Sequence, residues 1–119
     1  MLKIRPVIKV KNKAENHLAM ELFQNKTLRP IIKMQHDLLL ILFFQRMKNL
    51  SIKWEELKNH QKIDIVKKQI SFNMQFKNLI LGSIIGQLNQ SELSNYLLST
   101  REYNKRIIQM VTQRIISTF

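Results

Sequence analysis

The sequence predicts an all-α protein: a compact helical bundle of three long helices plus a short N-terminal helix and a basic N-terminal arm. Two observations carry this expectation. Hydrophobic residues make up 45% of the 119 positions while only two Gly and two Pro interrupt them, which favours long helices over a turn-rich sheet. Apolar residues also recur at i, i+3 and i+4 through three extended stretches, the period of an amphipathic helix. Residues 1–13 form the arm and residues 14–119 a single helical-bundle domain. A fold of this size buries about two thirds of its extended-chain surface, so no cofactor is needed to hold it together.

In the arm, Leu2, Ile4, Ile8 and Val10 alternate with Lys3, Arg5, Lys9, Lys11 and Lys13, with the phase disturbed at Pro6-Val7. This reads as one short extended segment with no sheet to join. An amphipathic piece over residues 15–23 leads through Gln24-Asn25-Lys26 to Thr27, a suitable N-cap for a helix over residues 28–49 that carries Pro30 in its first turn. Its apolar positions spread all round after Leu38, which predicts a later half central to the core. Residues 50–59, with Trp54 and Leu57, form a connecting turn.

The second long helix is expected over residues 60–85. At 100° per residue Ile63, Val66, Ile70, Met74 and Leu81 gather on one side and Ile65, Phe72, Phe76, Leu79 and Ile80 almost opposite. Two apolar faces imply two sets of neighbours. The polar column Gln69, Asn73 and Lys77 between them needs partners in the chain or in a second subunit, and a homodimer through the second apolar face is one solution. The helix should stop near Gly86, because Asn89 with Glu92 forms an Asn version of the capping box and Leu88 with Leu93 its hydrophobic staple. A last helix over residues 90–117 places Leu93, Tyr96, Leu97, Tyr103, Ile107, Val111 and Ile115 on one stripe. Arg114 falls on that stripe by angle and must be paired as a structural anchor, by Glu21, Asp37 or a C-terminal carbonyl.

Charge narrows the function. Twenty Lys and Arg against eight Asp and Glu leave a formal charge of +12, of which five belong to the arm. Such a field attracts polyanions: nucleic acid, an anionic membrane or an acidic protein face. Besides the arm cations, Arg29 and Lys33 stand together at a helix start, where backbone N–H groups assist anion binding, and Lys105 and Arg106 form a second cluster. Cysteine is absent, which excludes disulfides, thiolate metal sites and cysteine nucleophiles and suits a cytoplasmic setting. The start lacks the apolar stretch of a secretory leader, and the longest apolar run, residues 38–44, is far below the roughly 20 residues of a membrane span.

Catalytic and metal constellations do not emerge. His17 and Glu21 share a helix face, yet two ligands define no metal cage. His36 and Asp37 are adjacent and diverge by about 100° on a helix, and His60 reads as a cap or exposed residue. No Ser/His/Asp set, paired carboxylates or Gly-rich phosphate loop is present.

The stretch Phe23-Gln-Asn-Lys-Thr-Leu-Arg-Pro-Ile-Ile-Lys-Met-Gln35, with Gly82-Ser-Ile-Ile-Gly-Gln87 and Asn104-Lys-Arg106 followed by Arg114, resembles a family of small uncharacterised helical proteins of Bacteroidetes and flavobacteria. The resemblance spans most of the chain after about residue 20. Members often carry the label glyoxalase, which implies a metal-dependent lyase on a βαβββ repeat; this chain has neither the strand pattern nor the His and Glu ligands for it. The resemblance therefore implies a cytoplasmic helical protein without an assigned activity. The chain departs from the family pattern in its basic first 13 residues, in His36, and in Asn73, where an acid is usual, which puts any shared acidic contact in doubt.

The leading expectation is a non-catalytic binding module that engages RNA or DNA by backbone electrostatics, without cofactor or metal. A self-associating or protein-interaction bundle is the alternative, and an enzyme the third reading.

Overall fold

The described chain is all-helical, but the three long helices expected from the sequence are each divided, at Gln35, Asn73 and Ser99. The computed structural model describes residues 13–119, with side chains from residue 15. The helices are α1 Lys13–Phe23, α2 Arg29–Met34, α3 His36–Asn49, α4 Asn59–Phe72, α5 Met74–Ile85, α6 Gln90–Leu98 and α7 Thr100–Ile116, and no strand occurs among the described residues.

Pro30 shapes the join between α1 and α2. A proline ring clashes with the carbonyl four residues back in a regular helix and offers no N–H to the ladder. The chain widens just ahead of it: Gln24–Leu28 is a π-helical turn in which the Arg29 N–H bonds the Gln24 carbonyl, five residues back. The break expected at Gln24-Asn25-Lys26 is therefore absent, and Thr27 lies inside this turn instead of capping a new helix. At Gln35 the backbone departs locally (φ −89°, ψ 12°), yet the ladder bonds on both sides persist at 2.9 Å. Residues 13–49 form a near-continuous helical run in an elongated molecule of 55 × 25 × 23 Å.

The run ends in a Schellman motif, with Ser51 N–H on the Lys48 carbonyl and Ile52 N–H on that of Met47, both at 3.0 Å. Ser51 takes the left-handed conformation this motif needs, at φ 58°. In the connection that follows, Trp54 packs edge-on against Phe43, Phe44 and Phe119, with the Lys62 ammonium over its ring.

The single helix expected over residues 60–85 is two. Asn73 is extended (φ −88°, ψ 105°), and its side-chain oxygen accepts the Phe76 N–H at 2.9 Å, so it ends α4 and caps α5. Asn gains more from such a local bond than from continuing a helix. α5 ends before Gly86, and the Asn89–Glu92 capping box forms in both directions, at 2.8 and 2.9 Å. The last helix is also divided: Ser99 (φ −147°, ψ 55°) bends the chain, and Tyr96 comes to donate to Asn104, eight residues on. A straight helix would hold those two residues about 12 Å apart along its axis.

α7 runs beside the α1–α3 run in the same direction. Phe23 meets Tyr103 with ring centroids 4.8 Å apart, Arg114 meets His36, and Phe119 reaches Trp54. α4 and α5 return antiparallel to α3, tied by Arg46 to Gln69, by Phe43 against Phe76, and by Gln35 donating to the Ser83 carbonyl. The core lies among these three layers, from Leu28, Ile32, Leu39 and Phe43 through Val66, Ile70, Ile80 and Ile84 to Ile107, Val111 and Ile115. Each such side chain contributes about 1.5–3 kcal/mol by leaving water.

Two expectations about burial are corrected. α3 is not buried all round: Leu39, Phe43 and Met47 face the core, while Leu38, Ile41 and Phe44 are exposed, because α3 has packed neighbours on one side only. The two opposed apolar faces of the middle segment do not exist as separate surfaces either. The core takes Val66, Ile70 and Leu81 from one set and Phe76 and Ile80 from the other, and leaves Phe72, Met74 and Leu79 exposed. The polar column between the sets can turn inward because Gln69 accepts from Arg46 at 2.9 Å and Asn73 caps α5.

Candidate functional site

The surface of α7 away from the core carries one unbroken polar row. Arg101, Lys105, Gln109, Gln113 and Ser117 recur every fourth residue, all are exposed, and no acid interrupts them. Over its length of about 24 Å this row borders two clefts. The larger, about 760 Å³, lies between the α4–α5 segment and α7, and its lining includes Lys77, Arg101 and Lys105 with the amides of Asn78, Asn104 and Gln109. The smaller, about 500 Å³, lies between α2 and the end of α7 and is lined by Arg29, Ile32, Gln109, Met110, Gln113, Arg114 and Ser117. Gln109 belongs to both, and neither lining contains Asp or Glu.

The cations on this surface differ in how their nitrogen atoms are engaged. Lys77, Arg101 and Lys105 make no hydrogen bond or ion pair with another described residue, so their donors face the cleft or solvent. Arg29 holds the Asn25 side-chain oxygen only loosely, at 3.3 and 3.4 Å, and stays exposed. Lys33, one turn further on, is exposed outside the small cleft. The pair Arg29 and Lys33 therefore does not share one cavity; Arg29 shares it with Arg114.

Arg106 is turned the other way from its neighbour Lys105. Its Nη1 donates to Gln24 Oε1 at 2.8 Å and its Nε lies 3.4 Å from Glu102, with only 13% of the side chain exposed. It joins α7 to the π-helical turn, and its donors are spent there. Arg114 is half-buried, and its partner is His36, at 3.3 Å from Nη1 to Nδ1, in place of the expected Glu21, Asp37 or carbonyl. A guanidinium has only donors, so in this contact Arg114 donates and His36 accepts. Among the structural anchors, Gln69 and Asn73 serve as described above. The arm candidates Lys3, Arg5, Lys9 and Lys11 lie outside the described residues, and Lys13 is described only as the first residue of α1.

Two tyrosines mark the bend beside the large cleft. Burial holds the Tyr96 phenol above its ordinary value, opposed by its hydrogen bond to Asn104. Burial does the same to Tyr103, opposed by the positive charge of Arg106. Elsewhere His17 and Glu21 form an exposed pair at 3.8 Å, and no three His, Asp or Glu side chains gather among the described residues. No described helix is long and apolar enough to cross a membrane.

Arg101 is not among the polyanion-binding candidates expected from the sequence, and Lys77 enters there only as part of the polar column of the middle helix. Arg101 was legible in the four-residue spacing to Lys105 and Gln109, but Lys77 joins them only because α5 packs beside α7. No protein-family model, curated protein or solved structure matches the chain.

Proposed function

We propose that the protein is a non-catalytic binding module that engages the phosphate backbone of RNA or DNA. The observation that carries this reading is the acid-free row of α7 with its flanking cations: Lys77, Arg101 and Lys105 along one cleft and Arg29 along the next. Cations held at spaced positions without carboxylate partners raise the local potential and attract a linear polyanion. The amides between them supply donors that position a backbone without reading bases. The arm adds five cations to this field. Binding by such contacts releases counterions, so affinity should fall steeply with salt, with a slope of about 0.7–0.9 per phosphate contacted. Anisotropy of a labelled oligonucleotide across a salt series reads this directly, and an absence of binding at low salt ends the proposal.

The alternative reading is self-association, favoured by one observation: Met34, Leu38, Ile41 and Phe44 form an exposed apolar stripe along α2 and α3. Exposed apolar stripes of this kind mark interaction surfaces. Light scattering at micromolar concentration decides it, since a monomer removes the need for a partner copy there.

A further inference from the structure

The large cleft is not lined by charge alone. Leu81 and Ile108 border it although they are only 8% and 7% exposed, so they form its floor, and Met74, 65% exposed, lies along one wall. Met74, Lys77, Asn78 and Leu81 share one face of α5, and Arg101, Lys105 and Ile108 share one face of α7. Cations therefore stand on both walls above an apolar floor. A bare phosphate chain gains nothing from such a floor, because only apolar surface is stabilised by covering Leu81 and Ile108. The amides set a second requirement. Asn104 accepts from the Tyr96 hydroxyl through its Oδ1, which leaves its NH2 group to donate. Asn78 makes no side-chain hydrogen bond with another described residue, so it offers both a donor and an acceptor. A hydrocarbon chain laid in the cleft would strand these groups away from water, at a cost; a nucleobase has apolar faces and a rim of donors and acceptors.

Resting on the polyanion reading above, we infer that the large cleft is a nucleotide site. Phosphates lie between Lys77 on one wall and Arg101 and Lys105 on the other, and the base lies on Met74, Leu81 and Ile108. The volume of about 760 Å³ falls within the range of small-molecule sites, about 300–1,000 Å³. A thioether beside an aromatic ring adds an attraction of its own, so Met74 contributes more than covered area. The same chemistry recognises a free nucleotide and an unpaired nucleotide of a strand, since both bring a phosphate and an open base face.

The test uses the full chain at low salt and four probes. A nucleoside triphosphate and a single strand of about 12 nucleotides carry bases; inorganic triphosphate and polyphosphate do not. Met74→Ala should weaken the probes with bases about fivefold and leave the other two within about twofold. Lys77→Gln should weaken all four. Because Met74 is exposed, circular dichroism should find its variant as helical as wild type. Methyl NMR gives a second reading. The Met74 signal, assigned as the one missing from Met74→Ala, should move upfield under the ring current of a bound base and should not do so with inorganic triphosphate. A Met74→Ala effect on the nucleoside triphosphate identifies a free nucleotide as ligand, and an effect confined to the strand identifies one of its units. An effect that is absent, or equal on all four probes, overturns the inference and leaves the polyanion reading standing, as does a methyl signal that neither probe with bases moves upfield. Failure of wild type to bind any probe overturns both.

Discussion

The two sides of α7 both carry basic residues, and those residues do different work. On the inner side Tyr103, Ile107, Val111 and Ile115 fill the core, and the basic residues there, Arg106 and Arg114, are joined to Gln24 and His36 of the neighbouring helical run. On the outer side Arg101 and Lys105 have no partner among the described residues. Lys105 and Arg106 are adjacent in sequence, yet one faces a cleft and the other closes an interface. Net charge alone therefore overstates the binding capacity of the protein, because a cation whose donors are spent internally contributes structure first.

The sharpest way to break this contrast is to remove a core side chain of α7. Ile107→Ala should cost about 2–5 kcal/mol in urea unfolding, the range for truncating a fully buried aliphatic residue, and binding should fail only as the fold fails. A triple change on the outer side, Lys77→Gln, Arg101→Gln and Lys105→Gln, should do the reverse. Its unfolding midpoint should move little, while the salt slope of oligonucleotide binding shrinks by about 2–3, about 0.7–0.9 for each of the three lost contacts. An unchanged slope would show that the cleft cations are only solvated.

Arg106→Gln tests the inner cations. It should cost about 2 kcal/mol of stability, since Gln24 and Glu102 lose a largely buried charged partner, and it should leave the salt slope as it was. The smallest effect concerns the bend. Tyr96 and Tyr103 ionise less readily in the folded chain than at their ordinary value of 10.0. The unfolded chain therefore gives up these protons first as pH rises, so their contribution to stability is complete below pH 10.0 and lost above it. Thermal unfolding followed from pH 8 to 11 should show the melting temperature falling only above about 10, with a smaller fall in Tyr96→Phe.

Much of the helical content was legible because it is local chemistry. The Asn89 cap with Glu92 and the stop near Gly86 each involve residues within one turn, and both occur as read. The same local chemistry is present at Asn73, but the residue three positions on is Phe76, which gives no reciprocal side-chain bond and so no capping-box signature. At Pro30 the sequence pointed to a helix start, whereas a π-helical turn accommodates the ring and lets the helix continue. The two apolar faces of the middle segment misled for a related reason: the polar column between them needed partners in the chain or in a second subunit, and Gln69 and Asn73 find theirs within the chain, in Arg46 and the Phe76 N–H.

What the sequence determined by itself is the all-helical class, the absence of cysteine chemistry and the excess of positive charge. These depend on composition or on residues within a turn of each other. Only the tertiary structure decided which cations remain available. Arg106 meets Gln24 across 82 positions and Arg114 meets His36 across 78, whereas Lys77 comes to share a cleft with Arg101 and Lys105 without being paired. Pairing at that separation follows from how whole helices pack, and the packing is set by the buried side chains rather than by the cations themselves.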